Sequence, residues 1–142
     1  MAQDEANFGQ ICWLEVPVSS VHRAAAFYSS VLGWECKDVD EGKPPAVEGI
    51  QSIHMFSKGN LHGAFLVMQK ESSIPKIADP EVPEKCPPLP TFRVTSIDET
   101  LENVVAAGGK VHIPRTKIGG DMGYFARFID TEGNVMGLWA FK

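Results

Sequence analysis

One seven-residue phrase occurs twice in this 142-residue chain. Gly59-Asn60-Leu61-His62-Gly63-Ala64-Phe65 returns as Gly133-Asn134-Val135-Met136-Gly137-Leu138-Trp139. Gly, Asn and Gly hold the same places, and an aromatic residue closes each copy. Upstream, segments 18–33 and 94–109 both begin at Val, pass through Ser and a helical stretch, and end at Gly. The offset is 76 residues at the helix (94 − 18) and 74 at the phrase (133 − 59). One structural unit has been used twice. Two like units present like faces, and the space between them is the natural ligand site. The chain therefore reads as a single domain, 1–142, with modules at 9–70 and 89–142 and a connector at 71–88.

Each module has its own alternation of patterns. In 10–18, Leu14, Val16 and Val18 fall on one face and Trp13, Glu15 and Pro17 on the other, the period of a strand. Ser19 or Ser20 then caps a helix over Val21 to Leu32, with Val21, Ala24, Ala25, Tyr28 and Leu32 as its apolar stripe. Gly33 suits the left-handed end of that helix. Strands are predicted near 34–39, 50–57 and 62–69. The second module repeats the order, with strand 89–95, helix 97–107 and strands near 110–114, 123–129 and 134–141. Ser96 and Glu99 form its capping box, and residues 130–134 form a turn. Six prolines between Pro75 and Pro90 make the connector a semi-extended crossing. The fold class is α+β: two βαβββ modules forming a curved, cup-like mixed sheet.

Composition limits the partners. Net charge is −5 without a Lys/Arg cluster, so neither nucleic acid nor an anionic membrane surface is expected. The polar, acidic start lacks the apolar run of a secretion signal, and no segment reaches membrane-spanning length. Cys12, Cys36 and Cys86 are odd in number and lack metal-ligand spacing. They read as reduced thiols in a cytoplasmic protein, Cys12 as one packed on the helix side.

Paired βαβββ units of this length, with the segments AAAFYSSVLGWE, AAGGKV and FIDTEGNVMGLW, resemble the vicinal oxygen chelate superfamily. That group includes glyoxalase I, extradiol dioxygenases and the bleomycin- and fosfomycin-resistance proteins. The resemblance implies the cup-like fold and covers nearly the whole chain, but one fold there carries many chemistries. It also implies metal ligands, His or Glu, on the first and last strands of each unit. By position these places fall on Trp13, Gly63, Leu89 and Gly137, which offer no ligating side chain. The expectation is a member without metal or other cofactor. Glu15, His54 and His62 are the residues from which a displaced metal site could be drawn. His54 and His62 flank one hairpin, and His62 is predicted on the helix side.

Counting in twos assigns Trp13, Glu15, Pro17, Gly63, Phe65, Val67, Gln69, Leu89, Thr91, Arg93, Gly137, Trp139 and Phe141 to the cup. The predicted ligand contacts are Trp13, Phe65, Gln69, Thr91, Arg93 and Trp139, suited to a flat or apolar organic molecule with one polar edge. The aromatics could equally fill space between the sheets. Glu15, desolvated between Trp13 and Pro17, is the candidate general acid or base. Alternatively it is the buried partner of Arg93. Residues 117–123, rich in glycine, read as a mobile lip. Three functions stay open: a metal-independent lyase, isomerase or cyclase; a non-catalytic binder that sequesters a small molecule; and a metal-dependent lyase or dioxygenase with displaced ligands. A homodimer is expected.

Overall fold

A computed structural model of the chain describes residues 6–45, 47–70 and 88–142. The first module comprises β1 (Leu14–Val18), α1 (Val21–Leu32), β2 (Glu35–Cys36), β3 (Ile50–Lys58) and β4 (Leu61–Met68). The second comprises β5 (Thr91–Arg93), α2 (Ile97–Ala106), β6 (Lys110–Lys117), β7 (Tyr124–Ile129) and β8 (Val135–Ala140). The α+β class and both βαβββ modules are present. The strands form two four-stranded sheets, ordered β1-β4-β3-β2 and β5-β8-β7-β6, with β1 parallel to β4 and β5 parallel to β8. Most of the connector, including Cys86, lies outside the described residues.

The helix ends follow from local chemistry. The Ser20 and Ser96 side chains accept from the N–H groups of Arg23 and Glu99, each filling one orphan donor at a helix start. Gly33, at φ 70°, closes α1 in the left-handed region.

The helices lie over inner faces that share one core. Val16, Val18, Ala24, Tyr28 and Phe65 from the first module, and Ile97, Val104, Phe128 and Leu138 from the second, are fully buried. Trp34 is stacked between Tyr28 and Phe56, each ring centroid 4.2 Å away, and meets Phe92 of the other module edge-on at 5.6 Å. Phe27 and Phe128, 5.9 Å apart, make a second cross-module contact. Such aromatic pairs contribute roughly 0.5–1.5 kcal/mol each beyond area burial. Gly109 has no side chain because a Cβ there would meet Phe27 and Val104 at 2.8 Å.

The duplicated phrase misleads by one residue. Glu15 pairs with Ala64 on β4, whereas its counterpart Thr91, 76 residues on (91 − 15), pairs with Gly137 on β8. The strands therefore correspond at an offset of 73 (137 − 64), not 74. The cause is hairpin length. Lys58 and Leu61 close a two-residue turn, while Ile129 and Val135 flank a five-residue one. A one-residue slip reverses every side chain on a strand. Gly63, Phe65 and Val67 thus face the helix, not the cup. A Cβ on Gly63 would run into the Leu14 carbonyl and the Phe56 ring. His62 and Ala64 take the opposite face, so the helix-side expectation for His62 is also corrected.

Residues 130–134, expected as a simple turn, form a buried polar knot between the modules. Asp130 Oδ1 accepts from the N–H groups of Glu132 and Asn134, and Asp130 Oδ2 accepts from the Tyr28 hydroxyl at 2.7 Å. Burial, reinforced by the neighbouring Asp130 carboxylate, pushes the Tyr28 hydroxyl well above its ordinary 10.0. A raised folded-state pKa means that Tyr28's contribution is complete below about pH 10 and is lost as pH rises from there toward the folded value. Tyr28→Phe is expected to cost about 1–3 kcal/mol at pH 8. It should also flatten the loss of stability between about pH 10 and pH 11 in denaturant titrations. Equal alkaline slopes in the two proteins would refute this assignment.

Candidate functional site

Between β1 and β5, which edge the two sheets and share no ladder, lies a groove of about 680 Å³. One wall is Leu14 to Pro17 with Leu61; the other is Pro88 to Arg93 with Asn134, Val135 and Met136. Two features of sequence make this opening. Pro88 and Pro90 carry no backbone donor, so the approach to β5 offers no N–H at either position, while the Pro90 carbonyl accepts from Gly137 N–H on β8 at 2.8 Å. The Asn134 side chain donates to the Pro17 carbonyl at 2.9 Å, joining the walls at one point.

The lining is mainly apolar, with Glu15, Thr91, Arg93 and Asn134 as its polar side chains. Three of the expected site residues, Glu15, Thr91 and Arg93, therefore meet at one groove. Glu15 is exposed rather than desolvated. It is not Arg93's partner either: among the described residues the ion pairs are His22–Asp40, Arg23–Glu132 and Arg115–Asp98. Arg93 instead lies over Trp139 and Phe141, 5.6 and 5.1 Å from the ring centroids.

The other expected contacts fall elsewhere. Trp13 is 41% exposed and Gln69 is exposed at the end of β4; neither lines the groove. Phe65, fully buried among Tyr28, Trp34 and Phe56, is core and cannot reach a ligand. Trp139 touches the site through Arg93, and its Nε1–H donates to the Met122 carbonyl at 2.8 Å. That bond ties down the glycine-rich loop, which is also closed by Ile118 N–H donating to Gly123 O. Cys12 is exposed, not packed.

Sequence reasoning missed Asn134 and the proline pair as parts of the groove. It also missed a second, smaller hollow of about 390 Å³ where Val31 and Leu32 of α1 approach Arg93, Thr95 and Thr100. The signal for Asn134 was available: it sits in a turn otherwise made of two acids, a hydroxyl and a glycine, beside a strand that is buried at every position but Trp139.

The metal positions implied by the resemblance do not fit a metal. With the register corrected they are Trp13, Ala64, Leu89 and Gly137, and none has a ligating atom. The displaced set fails as well. His54 is buried, with Nδ1 2.7 Å from the Asp38 carbonyl and Nε2 2.9 Å from Ser52 Oγ, and it shares the helix-side face with Phe65. Glu15 and His62 lie on the other face. Among the described residues no three His, Cys, Asp or Glu side chains come together.

With this geometry established, comparison with known proteins places the chain. Residues 10–138 match the model of the Glyoxalase/Bleomycin resistance protein/Dioxygenase superfamily. The chain belongs to that superfamily. It is 31% identical over 127 residues to a glyoxylase-like domain-containing protein of Didymella fabae, a match covering 89% of each. It is 28% identical over 139 residues to the glyoxylase-type protein CFP32 of Mycobacterium bovis, spanning only 48% of that longer protein. Among solved structures, TnmS3, an antibiotic binding protein from Streptomyces, aligns with a TM-score of 0.63 at 18% identity, covering 94% of this chain and 96% of its own. The fosfomycin resistance protein FosX of Listeria monocytogenes gives 0.63 at 16% identity, covering 94% and 93%. At these identities the structures establish the fold alone. No helix among the described residues is long and apolar enough to cross a membrane.

Elemental analysis of the purified superfamily member is expected to find well under one bound transition metal per chain, with chelator leaving the melting temperature unchanged. A stoichiometric metal would contradict the reading of Trp13, Ala64, Leu89 and Gly137.

Proposed function

We propose that this protein encloses a small, largely apolar or aromatic organic molecule in the groove between β1 and β5. The observation that carries this reading is the groove itself: about 680 Å³, walled by Leu, Pro, Val and Met side chains, with a few polar groups at fixed places. That is the size and character of a small-molecule site. Thr91 and Arg93 are the groups that orient the ligand, with Trp139 and Phe141 holding the Arg93 guanidinium in place. Relatives named as an antibiotic binding protein and a fosfomycin resistance protein support an organic ligand for the fold.

Glu15 is the one carboxylate among the described lining residues. It stands open to solvent in the free groove, so only an apolar ligand lying over it would strip its water. In that complex it is the group placed to donate or accept a proton, and the protein would act as a metal-independent lyase or isomerase. Without turnover, the same groove is that of a sequestering protein. Trp13 and Phe141, exposed at 41% and 63%, support burial of further surface in a homodimer.

A thermal-shift screen of small aromatic compounds followed by Glu15→Gln separates the cases. For an enzyme, the variant keeps its fold and ligand affinity and loses roughly 100-fold or more in turnover. For a binder, only affinity moves. If no compound raises the melting temperature of the wild type, the groove is not the site. Light scattering on the same sample should give twice the 15.5 kDa chain mass, and the single-chain mass would contradict the dimer.

A further inference from the structure

The two strands that face each other across the groove differ in what their open edges meet. On β5 the Pro90 carbonyl accepts from Gly137 N–H at 2.8 Å, and Val94 N–H donates to the Trp139 carbonyl at 2.9 Å. Both bonds run to β8. In a parallel ladder successive residues turn their N–H and C=O groups to opposite sides, so Thr91 and Arg93 turn theirs away from β8 and toward the groove. Both residues are exposed. On β1 the corresponding positions, 76 residues earlier (91 − 15 and 93 − 17), are Glu15 and Pro17. There the second module covers the edge. Asn134 donates to the Pro17 carbonyl at 2.9 Å, Ser19 N–H donates to Glu132 at 2.9 Å, and proline itself removes the donor at 17. These side chains come from the five-residue turn 130–134. Its counterpart in the first module is the two-residue turn Gly59-Asn60, and among the described residues no hydrogen bond runs from it to β5. The duplication is thus unequal: the molecule closes one edge itself and presents the other to an apolar groove.

We infer that the groove's ligand is a peptide-like diamide: an N-acylated apolar amino acid unit whose N–H is accepted by the Thr91 carbonyl and whose carbonyl receives the Arg93 N–H. This rests on the proposed small-molecule reading and deepens it by naming the ligand's chemical class. The Thr91 carbonyl and the Arg93 N–H flank Phe92 on one side of β5. One residue of a parallel neighbouring strand spans that pair, with its own N–H and C=O. A ligand of this class therefore adds a short strand to β5, and its apolar side chain meets the lining of Leu14, Leu61, Leu89 and Met136. A hydrocarbon ring over the same edge strips water from both backbone groups and returns no hydrogen bond, which disfavours it. The molecule's own solution on β1 has the same chemistry, since the group that satisfies the Pro17 carbonyl is the carboxamide of Asn134.

The test titrates the full chain with N-benzoyl-leucine N-methylamide and with its ester isostere, in which oxygen replaces the leucine N–H, following backbone amide shifts. The diamide should bind about threefold to tenfold tighter than the ester, the worth of one hydrogen bond, and should move the Arg93 amide proton downfield. Two variants isolate the protein's donor. Arg93→Ala keeps the backbone N–H, and Arg93→Pro removes it at a position whose counterpart in the first module, Pro17, is already proline. Arg93→Pro should bind the diamide about threefold to tenfold more weakly than Arg93→Ala does. If melting shows that Arg93→Pro does not fold, the two ligands on the wild type decide the matter alone. Equal affinity of diamide and ester, or of the two folded variants, overturns this inference and leaves the groove reading standing wherever the shifts still centre on 14–17 and 89–93. If neither compound binds, this inference falls, and the groove reading falls with it only when the aromatic screen is also empty.

Discussion

The Glu132 carboxylate joins the second module to the beginning of the first module's helix. Its Oε1 accepts from the N–H groups of Ser19 and Ser20, both at 2.9 Å, and its Oε2 accepts from Arg23 Nε at 2.6 Å. Burial alone would raise this carboxyl's pKa. The Arg23 guanidinium and the Ser20 and Ser19 N–H groups outweigh it and hold the group below its ordinary 4.5. The Arg23 side chain is about half exposed, 51%, so the ion pair itself is screened and contributes modestly. The larger effect is satisfaction of donors at the start of α1, groups that would otherwise be orphaned where two modules meet. Asp130 lies deeper in the same turn. Burial raises its carboxyl, only partly offset by the Tyr28 hydroxyl and the N–H donors around it.

This knot has a functional consequence. Asn134 belongs to the same turn and donates to the Pro17 carbonyl. Pro17 and Asn134 both line the groove. The contacts that hold the modules together therefore also fix the position of β1 against the second module, and with it the separation of the groove's walls. Fold and site are two results of one set of hydrogen bonds, while the shared aromatic layer of Trp34, Phe92, Phe27 and Phe128 supplies the apolar burial behind them.

Most of the architecture was legible in the sequence because period and punctuation agree there. The stripe of α1, the Ser caps, Gly33 and the alternation of 14–18 each have a local cause. The failure came on β4, where a seven-residue match suggested equivalence of Gly63 with Gly137. Turn length is not visible in such a match, and the shorter hairpin shifts the strand by one residue. That single shift removed Phe65 from the site and exchanged Gly63 for Ala64, while β5 and β8 kept their expected faces. On β1 the face was read correctly but its environment was not, since strand parity does not reveal that β1 is a sheet edge with Glu15 in water. The polar knot at 130–134 was hidden for a related reason: Asp, Thr, Glu, Gly and Asn are ordinary turn residues, and only the docking of α1 makes them buried.

The groove between β1 and β5 is distinguished from the neighbouring hollow at Val31, Leu32 and Thr100 most directly by amide shift mapping. The full chain is titrated with the compound from the thermal-shift screen that raises its melting temperature most. Perturbations centred on 14–17, 89–93 and 134–136 are the predicted result. A pattern centred on 31–32 and 95–100, with 14–17 and 134–136 unmoved, would contradict it.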